Sequence, residues 1–320
     1  PQSLQRRTIR RQDEQKQEAS SSSWYNSIMN TIPIVYTDDW KEYKLLDSGA
    51  GEKLESFNGY TMVRPDPRTI WSHRLPQSSW DNADATFIRT DSEHGDWKIK
   101  KQTPHPWMLT YHDLKFKLHP TDFKHVGIFP EQATNWKWIE QQVKKYSTNC
   151  SILNLFGYTG AATVAATKSG AAVTHVDSSK PSITWAHENC DLNAIPPAQT
   201  RWIVEDAYKF VLRETKRNSS YDGIILDPPR FGHGTKGEVW KLTEDLPNLL
   251  YAIKKILKPT NSFVLLNVYT ADLSAIAIYN LIQNVFSEFK GSCELEELAT
   301  KEQDSNRFLP QGIIARWKNY

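Results

Sequence analysis

Cysteine is scarce: Cys150, Cys190 and Cys293 are the only three in 320 residues, and they lie far apart with no Cys-x-x-Cys or Cys/His pattern. That argues against a structural zinc site or a disulfide scaffold and points to a reducing compartment. No apolar run approaches the roughly 18 to 20 residues that cross a bilayer, and no signal-peptide core follows the N-terminus, so no membrane role is expected. Charge of one sign is lacking too. A formal net charge of +2 does not make a polycation, so any nucleic-acid surface must come from local clustering. Also missing are G-x-x-x-x-G-K-[ST] anywhere in the chain and G-x-G-x-x-G at the glycine turn of residues 157–160, the phosphate loops of nucleoside-triphosphate and dinucleotide sites. What remains, with 39% hydrophobic residues, suffices for a large core and a smaller attached unit.

Three regions follow from composition. Residues 1–38 open with an arginine cluster (Arg6, Arg7, Arg10, Arg11) and a serine run, with too little apolar content to offset ordering entropy. They read as a flexible basic arm: a solvated end, a phosphate-touching extension, or the remnant of a mitochondrial transit region. Residues 39–125 carry short alternating runs ("YTMVRP", "ATFIRT", "DWKIKK", "PWMLTYHDLKFKLHP") broken by turn residues, the pattern of a small β-rich domain. Its tryptophans and tyrosines are either core or a stacking platform for bases. Pro130 and Glu131 then start a helix expected over Glu131–Lys145.

From Ser151 the rhythm becomes strand, helix, strand. "SILNLF", "AAVTHVD", "TRWIVED", "YDGIILDPP" and "NSFVLLNVY" alternate with helical segments, and "CELEELA" and "GIIARW" close the chain. Residues 126–320 are thus expected to form a doubly wound α/β domain on a mostly parallel, seven-stranded, Rossmann-like sheet. Ligands of such sheets bind beyond the carboxyl ends of the strands. At those ends stand Gly157-Tyr158-Thr159-Gly160, whose glycines permit a tight turn, then Asp177, spaced to accept ribose hydroxyls, then Asp206, and finally Asp227-Pro228-Pro229. Singly, each is also an ordinary turn or helix cap. In this register they describe a site for an adenosine-containing ligand without pyrophosphate, such as S-adenosylmethionine.

The segments "LNLFGYTGAATVAA", "THVDSSK", "ILDPPRFG" and "FKHVGIFPEQ" resemble class I S-adenosylmethionine-dependent methyltransferases, in particular the group with bacterial 23S ribosomal RNA methyltransferases acting on cytosine C5 or guanine N7. The resemblance runs from about Tyr43 to the C-terminus. It implies a cofactor site of Phe129, Gln132, Asn154, Phe156, Gly157, Tyr158, Thr159, Gly160, Asp177, Ser178, Asp206, Ala207 and Asp227. Within it the glycine turn would cradle the methionine part, Asp177 the ribose and Asp206 the adenine. Asp227, Pro228, Pro229 and Phe231 would face the target base as the catalytic group.

Two prolines fix φ and remove N–H donors, so the carbonyls of this turn are expected to be free to accept from a base amine beside Asp227, with Phe231 stacking on the base. In-line methyl transfer then needs chiefly alignment at about 3 Å. Cytosine-C5 transfer also needs a cysteine nucleophile, which the resemblance places after the fifth strand. Here that stretch reads "LLNVYTADLS", so a nitrogen acceptor is favoured. Residues Gly232 to Gly237, with His233 and Lys236, read as a mobile, weakly basic loop able to act as a lid. The expected protein is a cytoplasmic, metal-free RNA methyltransferase whose partner is ribosomal RNA or a ribosome-assembly particle. The alternative is a catalytically silent RNA-binding or assembly factor on the same fold; a nicotinamide oxidoreductase is disfavoured by the glycine spacing.

Overall fold

The computed structural model describes residues 32–90, 94–146, 150–235, 237–270 and 272–320. The basic cluster and serine run of the expected arm lie outside them, as does Lys236.

The larger unit is built on an eight-stranded sheet. Its parallel half comprises β9 (Ser151–Leu155), β10 (Ala172–Asp177), β11 (Thr200–Val204), β12 (Gly223–Leu226) and β15 (Phe263–Val268). The central strands β12 and β15 are nearly unbroken apolar runs buried at every position, as burial on both faces demands, while β11 at the edge is partly exposed. β17 (Phe308–Lys318) is antiparallel to both β15 and β16 (Ser292–Lys301). An eighth strand joins the expected seven: β1 (Ile34–Val35) pairs with β16 at the edge, so the end of the 1–38 segment belongs to the sheet. The full order is β1-β16-β17-β15-β12-β9-β10-β11.

The chain winds outward in opposite directions from β9, to β10 and β11 on one side and to β12 and β15 on the other. That reversal opens a crevice at the carboxyl ends of β9 and β12, where residues 156–160 and Asp227 emerge. The helix predicted over Glu131–Lys145 is a 3-10 turn at Pro130–Gln132 followed by an α-helix over Ala133–Val143. The expected loop after Asp227-Pro228-Pro229 is a hairpin, β13 (Phe231–His233) paired with β14 (Val239–Lys241). The helix that follows starts at Leu242 and runs to Lys254.

The smaller unit holds a five-stranded sheet and a separate hairpin. The sheet runs, in spatial order, β2 (Tyr43–Gly49), β3 (Glu52–Phe57), β4 (Tyr60–Pro65), β5 (Ala85–Arg89) and β6 (Gly95–Ile99), and the hairpin joins β7 (Met108–Tyr111) to β8 (Leu114–Lys117). Only β4 and β5 pair in parallel. Its rings are mostly interior: Trp40, Phe57, Trp107 and Phe116 are buried in one cluster with Trp136, Val164 and Cys190 of the larger unit. The shared core holds the small sheet against the crevice, since apolar burial on this scale resists sliding.

Candidate functional site

A cavity of about 950 Å³ fills the crevice. Its floor is the turn after β9. Phe156 and Tyr158 adopt left-handed backbone conformations at φ 57° and 49°, and Gly160 does so at φ 81°. For the two non-glycine residues that conformation costs on the order of 1 kcal/mol each, and such strain persists only where surroundings enforce it. Asp177 supplies the enforcement. Its Oδ2 accepts the Tyr158 N–H at 2.8 Å and its Oδ1 the Ser179 N–H at 2.8 Å, so one carboxylate ties the turn to the start of the Lys180–Leu192 helix. Burial raises the Asp177 carboxyl above its ordinary range while those two N–H donors oppose the rise.

Gly157 must be glycine for space: a Cβ there would stand 2.4 Å from His175 Cε1. His175 sits beneath the turn with Nδ1 2.9 Å from the Thr163 hydroxyl, which also accepts the Asn154 amide at 2.9 Å. Burial pushes His175 down to about 3, so the ring stays neutral. Thr159 donates to the Gly127 carbonyl at 2.6 Å, joining the turn to the 123–132 segment. From that segment Phe129 enters the cavity with its ring centroid 5.7 Å from Tyr158 and 5.9 Å from Tyr269.

The opposite end of the cavity is organised around Asp227. Asn267 donates to its Oδ1 at 3.0 Å and Gln132 approaches Oδ2 at 3.3 Å. Gln132 Nε2 also donates to the Tyr269 hydroxyl at 2.9 Å, while its Oε1 accepts from Asn135 at 2.7 Å, which fixes which way the amide faces. Tyr269 in turn donates to Glu131 Oε1 at 3.2 Å. Burial pushes the Asp227 carboxyl up to about 7, with Asn267 opposing the rise and the nearby Glu131 charge adding to it. Such a carboxylate is a strong acceptor for a donor that enters the cavity.

Of the residues singled out from the sequence, Phe129, Gln132, Asn154, Phe156, Gly157, Tyr158, Thr159, Asp177, Ser178, Asp227, Pro228 and Pro229 line this one cavity. Gly160, Asp206, Ala207 and Phe231 stand outside its wall. Asp206 caps the Ala207–Lys216 helix by accepting the Lys209 N–H at 2.9 Å, and Ala207 is buried as that helix's first residue. Phe231 is half exposed on the hairpin, against His233. The Pro229 carbonyl is not free as expected: Trp240 Nε1 donates to it at 2.8 Å, anchoring the hairpin.

Sequence reasoning passed over Asn267, Tyr269 and Glu131. The signal for Asn267 was legible, a lone amide at the carboxyl end of the apolar run "FVLLNV". None of the three cysteines lines the cavity, and burial pushes each thiol up to about 12. Among the described residues no group of three or more His, Cys, Asp or Glu could hold a metal ion, and no helix is long and apolar enough to cross a membrane.

Residues 86–284, well over half of the chain, match the family of S-adenosylmethionine-dependent methyltransferases. A ribosomal RNA large subunit methyltransferase K/L from Shewanella amazonensis is 33% identical over 179 residues, covering 54% of this chain and 24% of that protein. Its counterpart from Shewanella loihica is 30% identical over 220 residues, covering 65% of this chain and 30% of that protein. The chain therefore spans less than a third of these relatives. The crystal structure of a SAM-dependent methyltransferase from Agrobacterium tumefaciens is 37% identical with a TM-score of 0.85, covering 90% of this chain and 96% of that one. A methyltransferase solved with SAH shares the fold at 19% identity and a TM-score of 0.69, covering 88% of this chain and 76% of that one.

Proposed function

The chain belongs to the family of S-adenosylmethionine-dependent methyltransferases, and from that premise we propose that its acceptor is a nitrogen on a base of ribosomal RNA. The observation that carries the choice of atom is the pairing of a cavity carboxylate, Asp227, with the absence of any thiol from the cavity wall. Carbon-5 transfer to cytosine needs a thiolate, and three buried thiols pushed up to about 12 do not provide one. The names of the Shewanella relatives favour ribosomal RNA as the substrate.

The residues present fit the cofactor. Asp177 keeps lone pairs beyond the two that its backbone donors use, enough for ribose hydroxyls. The bare Cα of Gly157 and the left-handed turn let the backbone come close to a ligand. When bound, S-adenosylmethionine supplies an electrophilic methyl group on a sulfonium. The chain's part is placement: Asp227 accepts from the amine or ring N–H of the base, the two prolines fix its direction, and Asn267 and Gln132 hold its carboxylate still. Phe129 and Tyr269, with ring centroids 5.9 Å apart, both line the cavity as rings on which a base can stack.

The test is to incubate the purified chain with methyl-tritiated S-adenosylmethionine and ribosomal RNA, digest to nucleosides and identify the labelled product. A methylated nitrogen is expected. Label in 5-methylcytidine would overturn the choice of atom, and labelled protein or free nucleotide with unlabelled RNA would overturn the substrate.

A further inference from the structure

Part of the cavity wall comes from the small β unit and its connection to the α/β unit, and it makes no hydrogen bond to Asp177 or Asp227 among the described residues. Lys53 on β3, Arg64 on β4, Arg68 just beyond it and Lys124 on the connection to the α/β unit all line it. Two carboxylates pair directly with three of these four cations, and the Glu131 charge also acts on Arg64 and Arg68. Glu55 takes Arg64 through two bonds of 2.7 and 2.8 Å and Lys53 at 3.3 Å. Asp66 takes Arg68 through bonds of 2.8 and 2.6 Å. Lys124 makes no ion pair with a described carboxylate; its Nζ donates to the Pro65 carbonyl at 3.0 Å, while Arg64 donates to its backbone carbonyl at 3.2 Å. Its backbone is left-handed at φ 62°, a conformation uncommon for lysine that sets the direction of the side chain.

We propose that Lys124, with Lys53 and Arg64 behind it, forms an oxyanion site that receives a backbone phosphate of the substrate RNA strand. The inference rests on the RNA reading above. Desolvation and the neighbouring Lys53 and Arg64 charges push the Lys124 ammonium down to about 8, while Asp66 opposes the shift. A partly buried cation among like charges is costly until an anion arrives. Two anions could reach the wall, a phosphate of the strand or the carboxylate of the cofactor's methionine end. Charge favours the phosphate. The cofactor as a whole is a cation, with a sulfonium and an ammonium against one carboxylate, and it suits the acids that also line the cavity, Asp177, Glu131 and Asp227. The cations and Asp227 line one cavity, so a base held at Asp227 would bring a phosphate of its own strand into the space that Lys124 lines.

The probe is a short, mixed-sequence, single-stranded oligoribonucleotide with a fluorescent end, titrated by anisotropy across potassium chloride concentrations. Calorimetric titration with S-adenosylhomocysteine runs in parallel. Wild type is compared with Lys124→Gln, Lys124→Arg and Lys53→Gln; should Lys124→Gln melt early, Lys53→Gln carries the test. Each neutral variant is expected to weaken oligonucleotide binding roughly tenfold. It is also expected to flatten the log–log salt slope by about 0.7 per lost contact. Lys124→Arg should keep the slope, and S-adenosylhomocysteine affinity should stay put. An unchanged slope in folded neutral variants overturns the site. Loss of S-adenosylhomocysteine binding with RNA binding intact assigns the wall to the cofactor carboxylate and overturns it as well. Wild type that binds S-adenosylhomocysteine but no oligonucleotide overturns the RNA reading itself, and this inference with it.

Discussion

Asn267 donates its side-chain amide to Asp227 Oδ1 at 3.0 Å, across two adjacent parallel strands. The contact follows from register: Leu226 on β12 lies opposite Leu266 on β15, so the residues one step beyond, at the carboxyl ends, meet side by side. A neutral donor beside a desolvated carboxyl favours its ionised form and holds it in one rotamer.

Removing that donor should therefore move a pH profile. The unliganded Asp227 carboxyl lies at about 7 with Asn267 lowering it. Transfer that needs the carboxylate falls as pH drops through this region. Asn267→Leu is expected to shift the acid limb of kcat/KM, which reports the unliganded enzyme, upward by roughly one pH unit, the scale of one hydrogen bond to a charge. A limb that stays in place would mean that Asp227 ionisation does not limit transfer.

Asp177 and Asp227 should separate binding from chemistry. Asp177→Ala removes the acceptor of two backbone N–H groups as well as the proposed ribose partner. It is expected to weaken S-adenosylhomocysteine by about 1.5 to 3 kcal/mol, read by calorimetry. Asp227→Ala is expected to leave that affinity within a few-fold while kcat falls by about a hundredfold or more. Equal loss of affinity in both variants would refute the division.

Much of this site was readable because it is local in sequence. Strand ends at Phe156, Asp177 and Asp227 follow from where apolar runs stop, and a doubly wound sheet gathers those ends into one crevice. The hairpin after Pro229 was misread as loop because its signals, Phe231 and Val239, are single exposed apolar residues without alternation. Nor could the occupied Pro229 carbonyl be foreseen, since its partner Trp240 arrives only through hairpin closure. Lys124 and Arg64 were invisible for a different reason. Their place in the cavity depends on how the small sheet packs through the Trp136 cluster, and no short-range pattern encodes that docking.

Gly157→Ala tests the floor of the cavity. A methyl group 2.4 Å from His175 Cε1 and 2.6 Å from Nδ1 cannot be absorbed by a ring that is fully buried and bonded to Thr163. The expected cost is about 1 to 3 kcal/mol of stability from overpacking, seen as a lower urea midpoint. S-adenosylhomocysteine affinity should fall as well, because the Tyr158 N–H is displaced from Asp177. Unchanged stability would show that the His175 ring can move aside, and with it the turn.

Asp227→Asn should make the protein more stable relative to wild type as pH rises, although it removes the proposed catalytic carboxylate. The folded-state value of about 7 lies above the ordinary 3.8, so between these values the folded chain holds a proton that the unfolded chain has released. Stability from this group is complete below the unfolded value and is lost as pH climbs through the folded one. Asparagine carries no charge at any pH and escapes that loss, once Gln132 or Asn267 turns its amide to suit. In urea melts without cofactor, the variant's stability minus that of wild type is expected to be at least about 1 kcal/mol larger near pH 8 than near pH 5, since each tenfold change in a proton equilibrium is worth roughly 1.4 kcal/mol. Comparing the two chains cancels the contributions of titrating groups that do not couple to Asp227, so a difference that stays flat or shrinks would mean that the Asp227 carboxylate is well solvated inside the cavity. Its poise near neutrality would then have another source.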